Sequence, residues 1–338
     1  MTSFGNGFNE RDALSFDIPD SLKRIVIRMN RFPGTLERLN VVTFQDKIRL
    51  LGPRYKRRIL LDQEGEERIA ALIALDKPLM VARLGAVELS CLHFYMENRC
   101  TKKTAYSKKI RFCMSNNAGF FPVDDNSLDA FSELYLDNLR QADAMAVWFN
   151  RYEDVICNTY SRDAELVHLD CLAPYHFANP WSVKLEGRKV LVIHPFAESI
   201  RRQYAEKRQL LFADPNVLPE FELKTLKAVQ SIAGSKVEFA NWFDAYHHMC
   251  DDMAGIEVDI CLIGAGAYGL PLASFAKRLG KQAVHMGGVT QILFGIRGRR
   301  WEELYADTTA LLFNEHWVRP MHSETPEDKD NVEKGCYW

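Results

Sequence analysis

The residues of this sequence best suited to chemistry fall in short turns that directly follow apolar runs. Val258 to Ile263 leads into Gly264-Ala-Gly266-Ala-Tyr268-Gly269 and then into a helix-forming stretch through Lys277. Glycines there permit a tight turn and close backbone approach, and the free N–H groups and positive dipole end of the following helix suit a phosphate. Close packing of helix on strand is the plainer use of the same glycines. Leu79-Met-Val-Ala-Arg83 leads into Leu84-Gly85-Ala86-Val87-Glu88, which puts an arginine at the end of an extended run and a carboxylate one turn into a helix. Arginine grips phosphate through paired N–H groups, and a glutamate can hold a divalent ion or take a proton. At that position Glu88 also complements the helix macrodipole, with no further role required.

Three further turns carry polar groups. Ser115-Asn-Asn117-Ala-Gly119-Phe-Phe-Pro122 combines side-chain amides with aromatics, which suits a sugar or base platform as well as ordinary turn chemistry. His194-Pro-Phe196 closes the run Lys189 to His194, where a histidine can serve as acid, base or phosphate donor, or as a satisfied structural residue. Gly287-Gly288-Val-Thr-Gln291 and the basic run Arg297-Gly-Arg-Arg300 follow Ala283 to Met286, and a second glycine turn beside the first would make an anion nest.

The elements that must position these turns read as βαβ units. Strands are expected at Leu79–Arg83, Ala144–Phe149, Lys189–His194, Val237–Asn241, Val258–Ile263 and Ala283–Met286, and helices at about 64–76, 86–98, 127–141, 162–173, 198–211, 243–254 and 268–279. Alternation of this kind makes an α/β, Rossmann-like, mostly parallel sheet of about six strands with helices on both faces. Ligands then bind at the carboxyl ends of the strands, where all these turns lie. The dinucleotide reading of the glycine loop also requires an acidic residue at the end of the next strand. That strand ends in His285-Met-Gly-Gly288, which weakens NAD and S-adenosylmethionine alike.

The 338 residues carry a net charge of −2, too near neutral for a whole-molecule grip on nucleic acid. Residues 21–58 hold eleven basic side chains against Glu37 and Asp46, a local charge of +9 that leaves −11 on the rest. The chain therefore divides into a basic helical N-terminal arm at 1–62, a catalytic body at 63–320 and a polar tail at 321–338 whose terminal Tyr337 and Trp338 are expected to dock on the body. The arm serves as a solvated face, a contact between copies in a homo-oligomer, or a peripheral contact with anionic lipid at the inner membrane face. None of the eight cysteines forms a CxxC pair or zinc spacing, and no stretch of about 18 apolar residues occurs, so the expected location is the cytoplasm.

Taken in order, the motifs of residues 64–338 resemble the GT-D-fold glycosyltransferases, RxGxxE-motif sugar transferases first catalogued as a domain of unknown function. The resemblance rests on Arg83-Leu-Gly85-Ala-Val-Glu88, Asn117-Ala-Gly119-Phe-Phe, Val192-Ile-His194-Pro-Phe196, and Gly264-Ala-Gly266-Ala-Tyr268-Gly269-Leu-Pro271 running on to Gly287-Gly288 and Gln291. It implies transfer of a sugar from a nucleotide-activated donor, a UDP-sugar first of all, to a glycan or lipid-linked glycan acceptor in surface polysaccharide or glycoconjugate synthesis. Glu88 and His194 become the catalytic residues. Arg83, Gly85, Asn117, Gly119, Gly264, Gly266, Tyr268, Gly269, Gly288 and Gln291 become the substrate-binding set. Better-known members hold a Mn or Mg ion with an Asp-x-Glu pair, and here Ala86 stands where the aspartate should be. Either Glu88 and waters hold the metal, or Arg83 and the glycine-loop amides carry the diphosphate unaided, or activity is lost and a binding scaffold of the same fold remains.

Overall fold

A computed structural model describes residues 19–23, 43–102, 104–235, 237–303, 312–332 and 334–338. The described residues build one all-parallel sheet of eight strands: β1 (Ile59–Leu60), β2 (Leu79–Arg83), β3 (Ala144–Val147), β4 (Glu165–His168), β5 (Lys189–His194), β6 (Glu222–Lys227), β7 (Ile260–Ile263) and β8 (Gln282–His285). Their order across the sheet is β1-β4-β3-β2-β8-β7-β5-β6. Two half-sheets, β1-β4-β3-β2 and β8-β7-β5-β6, thus meet along one ladder that pairs Leu79 with Gln282, Met80 with Ala283 and Val81 with Val284.

The nine helices of eight or more residues among the described residues are α1 (Phe44–Leu51), α2 (Asp62–Ala74), α3 (Ala86–Phe94), α4 (Lys108–Asn116), α5 (Asp125–Leu139), α6 (Glu153–Tyr160), α7 (Ala197–Leu211), α8 (Trp242–Ala254) and α9 (Gly269–Arg278). Their starts follow local chemistry: Thr43 and Asp46 form a capping box on α1, and Ser107, Asp124 and Asn241 accept backbone N–H groups at the heads of α4, α5 and α8. Strand alternation sorts the core onto two faces. Met80, Ala82, Met145, Ile193 and Ile263 meet α3, α5, α8 and α9 on one face, while Leu79, Val81, Val192 and Leu262 meet α2, α7 and the C-terminal segments on the other. Burying each large side chain, such as Trp242 or Trp181, adds roughly 2–3 kcal/mol of hydrophobic stabilisation, and both are fully buried. The seven described free cysteines are mostly buried and behave as core residues.

The α/β class and parallel sheet agree with the sequence, whereas the strand count of six and two of the assigned elements do not. Val237–Asn241 forms no strand, because Asn241 caps α8 and Phe239 packs only partly against the core. The helix expected at 162–173 is instead β4 followed by a 3-10 turn at Leu169–Leu172. β6 (Glu-Leu-Lys-Thr-Leu-Lys) alternates polar and apolar because it is the sheet edge, and β1 is a two-residue edge that directly follows the basic segment.

Of that basic segment, Arg24, Arg28, Arg31 and Arg38 lie outside the described residues. Several of the described members engage the chain itself: Lys23 and Arg49 pair with Asp46, Arg54 with Asp154 and Arg58 with Glu64, while Arg57 donates to the carbonyls of Cys157, Ser161, Arg162 and Ala164; Arg49, Arg54, Lys56 and Arg58 remain exposed. No helix among the described residues is long and apolar enough to cross a membrane. In the tail, Trp338 is buried against Phe196, and the Glu324 carboxylate accepts the Glu198 and Ser199 N–H groups at the head of α7. A tail residue therefore supplies the cap that α7 lacks locally.

Candidate functional site

Parallel strands end flush, so Arg83, Val147, His168, His194, Ile263 and His285 stand along one rim of the sheet. β5 leads outward to β6 while its neighbour β7 leads back to β8, so the strand order reverses between them, the place where parallel α/β sheets take their ligands. Four of the sequence-identified residues pack in an unbroken row along this rim. A side chain at Gly287 would stand 2.8 Å from Arg83 Nη1, and one at Gly264 would stand 2.7 Å from the Gly287 carbonyl and 2.6 Å from His194 Cδ2. Arg83, Gly287, Gly264 and His194 are therefore consecutive neighbours, and only bare backbone at the two glycines leaves room between the side chains.

Arg83 is half-buried, has no carboxylate within ion-pair distance among the described residues, and donates only to the Leu84 carbonyl at 3.2 Å. Its guanidinium lies over the Trp148 ring, 5.5 Å from the centroid, and its buried Nε has no partner. A partly desolvated guanidinium without an ion pair is chemically suited to an anion, because water satisfies it poorly, and the carboxylates of Glu88 and Glu153 feel its charge without closing on it. Trp148 is fixed in turn by its indole N–H, which donates to the Leu84 carbonyl at 3.1 Å.

Glu88 is partly buried at the third position of α3, and its carboxylate folds back onto the helix's own first turn, filling the space a side chain at Gly85 would need. Burial raises its pKa, while the Arg83 charge and its own amide hold it back. The macrodipole role and the proximity to Arg83 thus coexist in one carboxylate. Ala86 is exposed, and among the described residues no three His, Cys, Asp or Glu groups converge as a metal site. One carboxylate, tied to backbone amides and beside a guanidinium, is a poor donor set for Mn or Mg, which want several oxygens and no adjacent cation. The residues present do not fit that ion.

His194 is buried, and burial pushes its pKa down to about 3. Its Nδ1 accepts the Phe196 N–H at 3.0 Å, so the neutral ring carries its proton on Nε2. Of the three roles open to it, acid, base and phosphate donor, a neutral hydrogen-bond donor is the one this environment favours. Gly266 is exposed at φ +53°, the turn that swings the chain from β7 into α9. Gly269 lets α9 sit directly on the His285 ring.

The remaining sequence-identified residues form two other groups. Ser231 Oγ joins the Gly119 carbonyl at 2.6 Å to the Tyr268 hydroxyl at 3.3 Å, Tyr268 stacks on Trp242 at 4.6 Å, and Asn117 Oδ1 accepts from Asn116. Gly288 and Gln291 are drawn into docking the chain's last residues. Trp301 and Tyr337 fill the space beside Gly288, and buried Gln291 donates to the Ile296 and Tyr337 carbonyls.

Sequence reasoning missed three rim residues. His285, at the end of β8, is buried with an unpartnered Nδ1, and burial and the neighbouring Arg83 push its pKa down to about 3. Trp148 and Glu153 follow β3. The strand-end rule that singled out Arg83 and His194 applies equally to His285 and to the residues after Val147. Two surface hollows lie elsewhere, one among Met253, Val258 and Lys281 at the amino ends of β7 and β8, the other among Arg57, Arg162 and Glu165 at the β1 edge.

No family model and no curated protein matches the chain. Two solved structures are similar to it. One is a selenomethionine-substituted structure of domain of unknown function 1792, at 12% identity and TM-score 0.45, covering 82% of this chain and 96% of that one. The other is a structure of the same domain, described as having a distinct glycosyltransferase fold, at 13% identity and TM-score 0.44, covering 80% of this chain and 94% of that one.

Proposed function

We propose that this chain is a sugar transferase that takes its sugar from a nucleotide-activated donor, a UDP-sugar in the first instance, and passes it to a glycan or lipid-linked glycan acceptor. The observation that carries this reading is the Arg83 guanidinium, without an ion pair and set beside the bare backbone of Gly287, which adjoins Gly264 on the sheet's rim. The motif resemblance of residues 64–338, which includes Arg83 and both glycine turns, supports it. In this reading Arg83 takes the diphosphate, the glycine turns admit it close to the backbone, and His194 Nε2–H donates to a donor oxygen. The bond from the anomeric carbon to the phosphate oxygen breaks, and the diphosphate leaves with the electron pair. The acceptor oxygen bonds to that carbon, and its proton passes to Glu88. Placement of donor beside acceptor and stabilisation of the leaving charge supply the rate enhancement.

The test is calorimetric binding of UDP together with release of UDP from UDP-sugars, in the full chain and in Arg83→Ala. Binding and release that both vanish in Arg83→Ala are expected. Tight UDP binding with no UDP release from any donor would support the second reading, a nucleotide-binding scaffold, which the lone Glu88 carboxylate favours. An NAD- or S-adenosylmethionine-dependent enzyme has only the glycines behind it, since the strand after them ends in buried His285 where an acid is needed.

A further inference from the structure

The turn after β3 is built around a buried carboxylate with no assigned role. Glu153, the first residue of α6, is fully buried. Its Oε2 accepts three donors: the Tyr55 hydroxyl at 2.8 Å, the Trp148 amide at 3.0 Å and the Asn150 amide at 3.2 Å. Phe149 and Tyr152, within the same turn, have φ of 62° and 73°, a strained backbone region for a non-glycine residue that persists only where surroundings fix it. Trp148, at the start of that turn, carries the Arg83 guanidinium on its ring and shares the Leu84 carbonyl with it. Oε1 of Glu153, Nδ2 of Asn150 and Nε of Arg83 are all buried without partners.

We propose that Glu153 is a positioning residue of the anion site: through the amides of Trp148 and Asn150 it holds the indole that presents Arg83, and its charge opposes the anion that Arg83 binds. The proposal rests on the diphosphate reading for its ligand, but the link from Glu153 to Trp148 stands on contacts alone. Burial raises the Glu153 carboxyl to about 7, against the hydrogen bonds from Tyr55, Trp148 and Asn150 and the Arg83 charge. The titratable groups facing it are Tyr55, Arg83, Asp154 and Cys157; Asp154 is held by Arg54, and the Tyr55 hydroxyl and Cys157 thiol are both pushed up and stay neutral. Of these groups Glu153 is the one brought near neutrality, while His93, stacked on Tyr152 in the same turn, is pushed down by burial. Protonated, it leaves Arg83 free for an anion. Ionised, it attracts Arg83 and repels that anion.

The experiment titrates inorganic pyrophosphate calorimetrically into the full chain and into Glu153→Gln, which keeps an acceptor oxygen but never ionises. In parallel, the fluorine resonance of Trp148 in fluorotryptophan-labelled protein is followed against pH without ligand. In the unmodified chain the resonance is expected to move with a midpoint near the Glu153 pKa of about 7, and pyrophosphate affinity to fall about tenfold more than in Glu153→Gln between about pH 6 and about pH 8. Tyr55→Phe, which removes one donor from the carboxylate, is expected to move the midpoint upward and serves as the deciding variant should Glu153→Gln not fold. A Trp148 resonance that stays still, or that titrates identically in the variant, overturns the proposal whether or not pyrophosphate binds. A resonance that titrates as expected with no pyrophosphate binding supports the Glu153 link and removes the diphosphate reading instead.

Discussion

The carboxylate of Glu88 occupies the space that a side chain at Gly85 would fill, two residues past Arg83. Gly85→Ala must therefore push Glu88 off the head of α3. Loss of its macrodipole contact costs up to about 1 kcal/mol, and the same displacement carries the carboxylate away from Arg83. Urea unfolding should show that modest loss, with UDP-sugar turnover falling far more than stability does.

Arg83 closes no ion pair among the described residues, so its removal should leave the fold intact. Arg83→Ala is expected to change unfolding free energy by less than about 1 kcal/mol while weakening UDP binding by 2–3 kcal/mol, about the worth of a charge-assisted pair. Arg83→Lys should recover only part of the affinity, because an ammonium cannot offer paired N–H groups. Equal UDP affinity in Arg83→Ala and the unmodified chain would sink the assignment.

Two glycines in the same loop should behave differently. A methyl at Gly264 meets His194, the Gly287 carbonyl and Thr290 Oγ1, all within 2.7 Å, whereas one at Gly266 meets nothing within 4 Å. Gly264→Ala is expected to cost about 2–4 kcal/mol through overpacking of the rim, and Gly266→Ala about 1 kcal/mol through its positive φ alone. Melting temperatures of the two variants decide this, and a Gly266→Ala loss as large as that of Gly264→Ala would contradict the packing described.

Stability should depend on pH through two opposing contributions. His194 and His285, held down to about 3, contribute stability that is complete above their ordinary value of 6.5 and is lost as pH drops below it. Glu153, raised from 4.5 to about 7, contributes stability that is present below 4.5 and lost as pH rises through about 7. The two trends oppose between pH 4.5 and about 7, so urea unfolding should show stability climbing more steeply with pH in Glu153→Gln than in the unmodified chain, the difference reaching about 3 kcal/mol at most.

The tail supplies one more test. Glu324 lies 125 residues beyond Ser199, whose N–H it caps. Glu324→Ala should destabilise the chain by about 1–2 kcal/mol, and hydrogen exchange should localise the loss to the first turn of α7. Loss spread evenly over the sheet would argue against capping.

Much of this was legible in the sequence because burial on both faces leaves a plain mark. The strands at β2, β5, β7 and β8 read as apolar runs, and the residue ending each run falls on the rim, so Arg83 and His194 could be found from pattern alone. What could not be read follows from position in the sheet. β6 has the polar alternation of an edge, and β4 is four residues long and followed by a 3-10 turn that continues a helix-like period. Gln291 and Gly288 looked like ligand groups because their partner, Tyr337, lies 46 residues on from Gln291 and is joined only by tertiary packing. Glu153 was hidden for a related reason: nothing local announces that its hydroxyl donor is Tyr55, 98 residues earlier.

The ladder between β2 and β8 pairs residues some two hundred positions apart, and the row from Arg83 through Gly287 and Gly264 to His194 crosses it. Arg83 and Glu88 arrive with one half-sheet; His194, Gly264 and Gly287 arrive with the other. Neither half owns a binding site, so a molecule gripped by Arg83 and His194 together would clasp the two halves and resist their separation. Occupancy and the integrity of that central joint are thereby one equilibrium, and any ligand of that row should slow opening at Leu79, Met80 and Val81 more than anywhere else in the sheet.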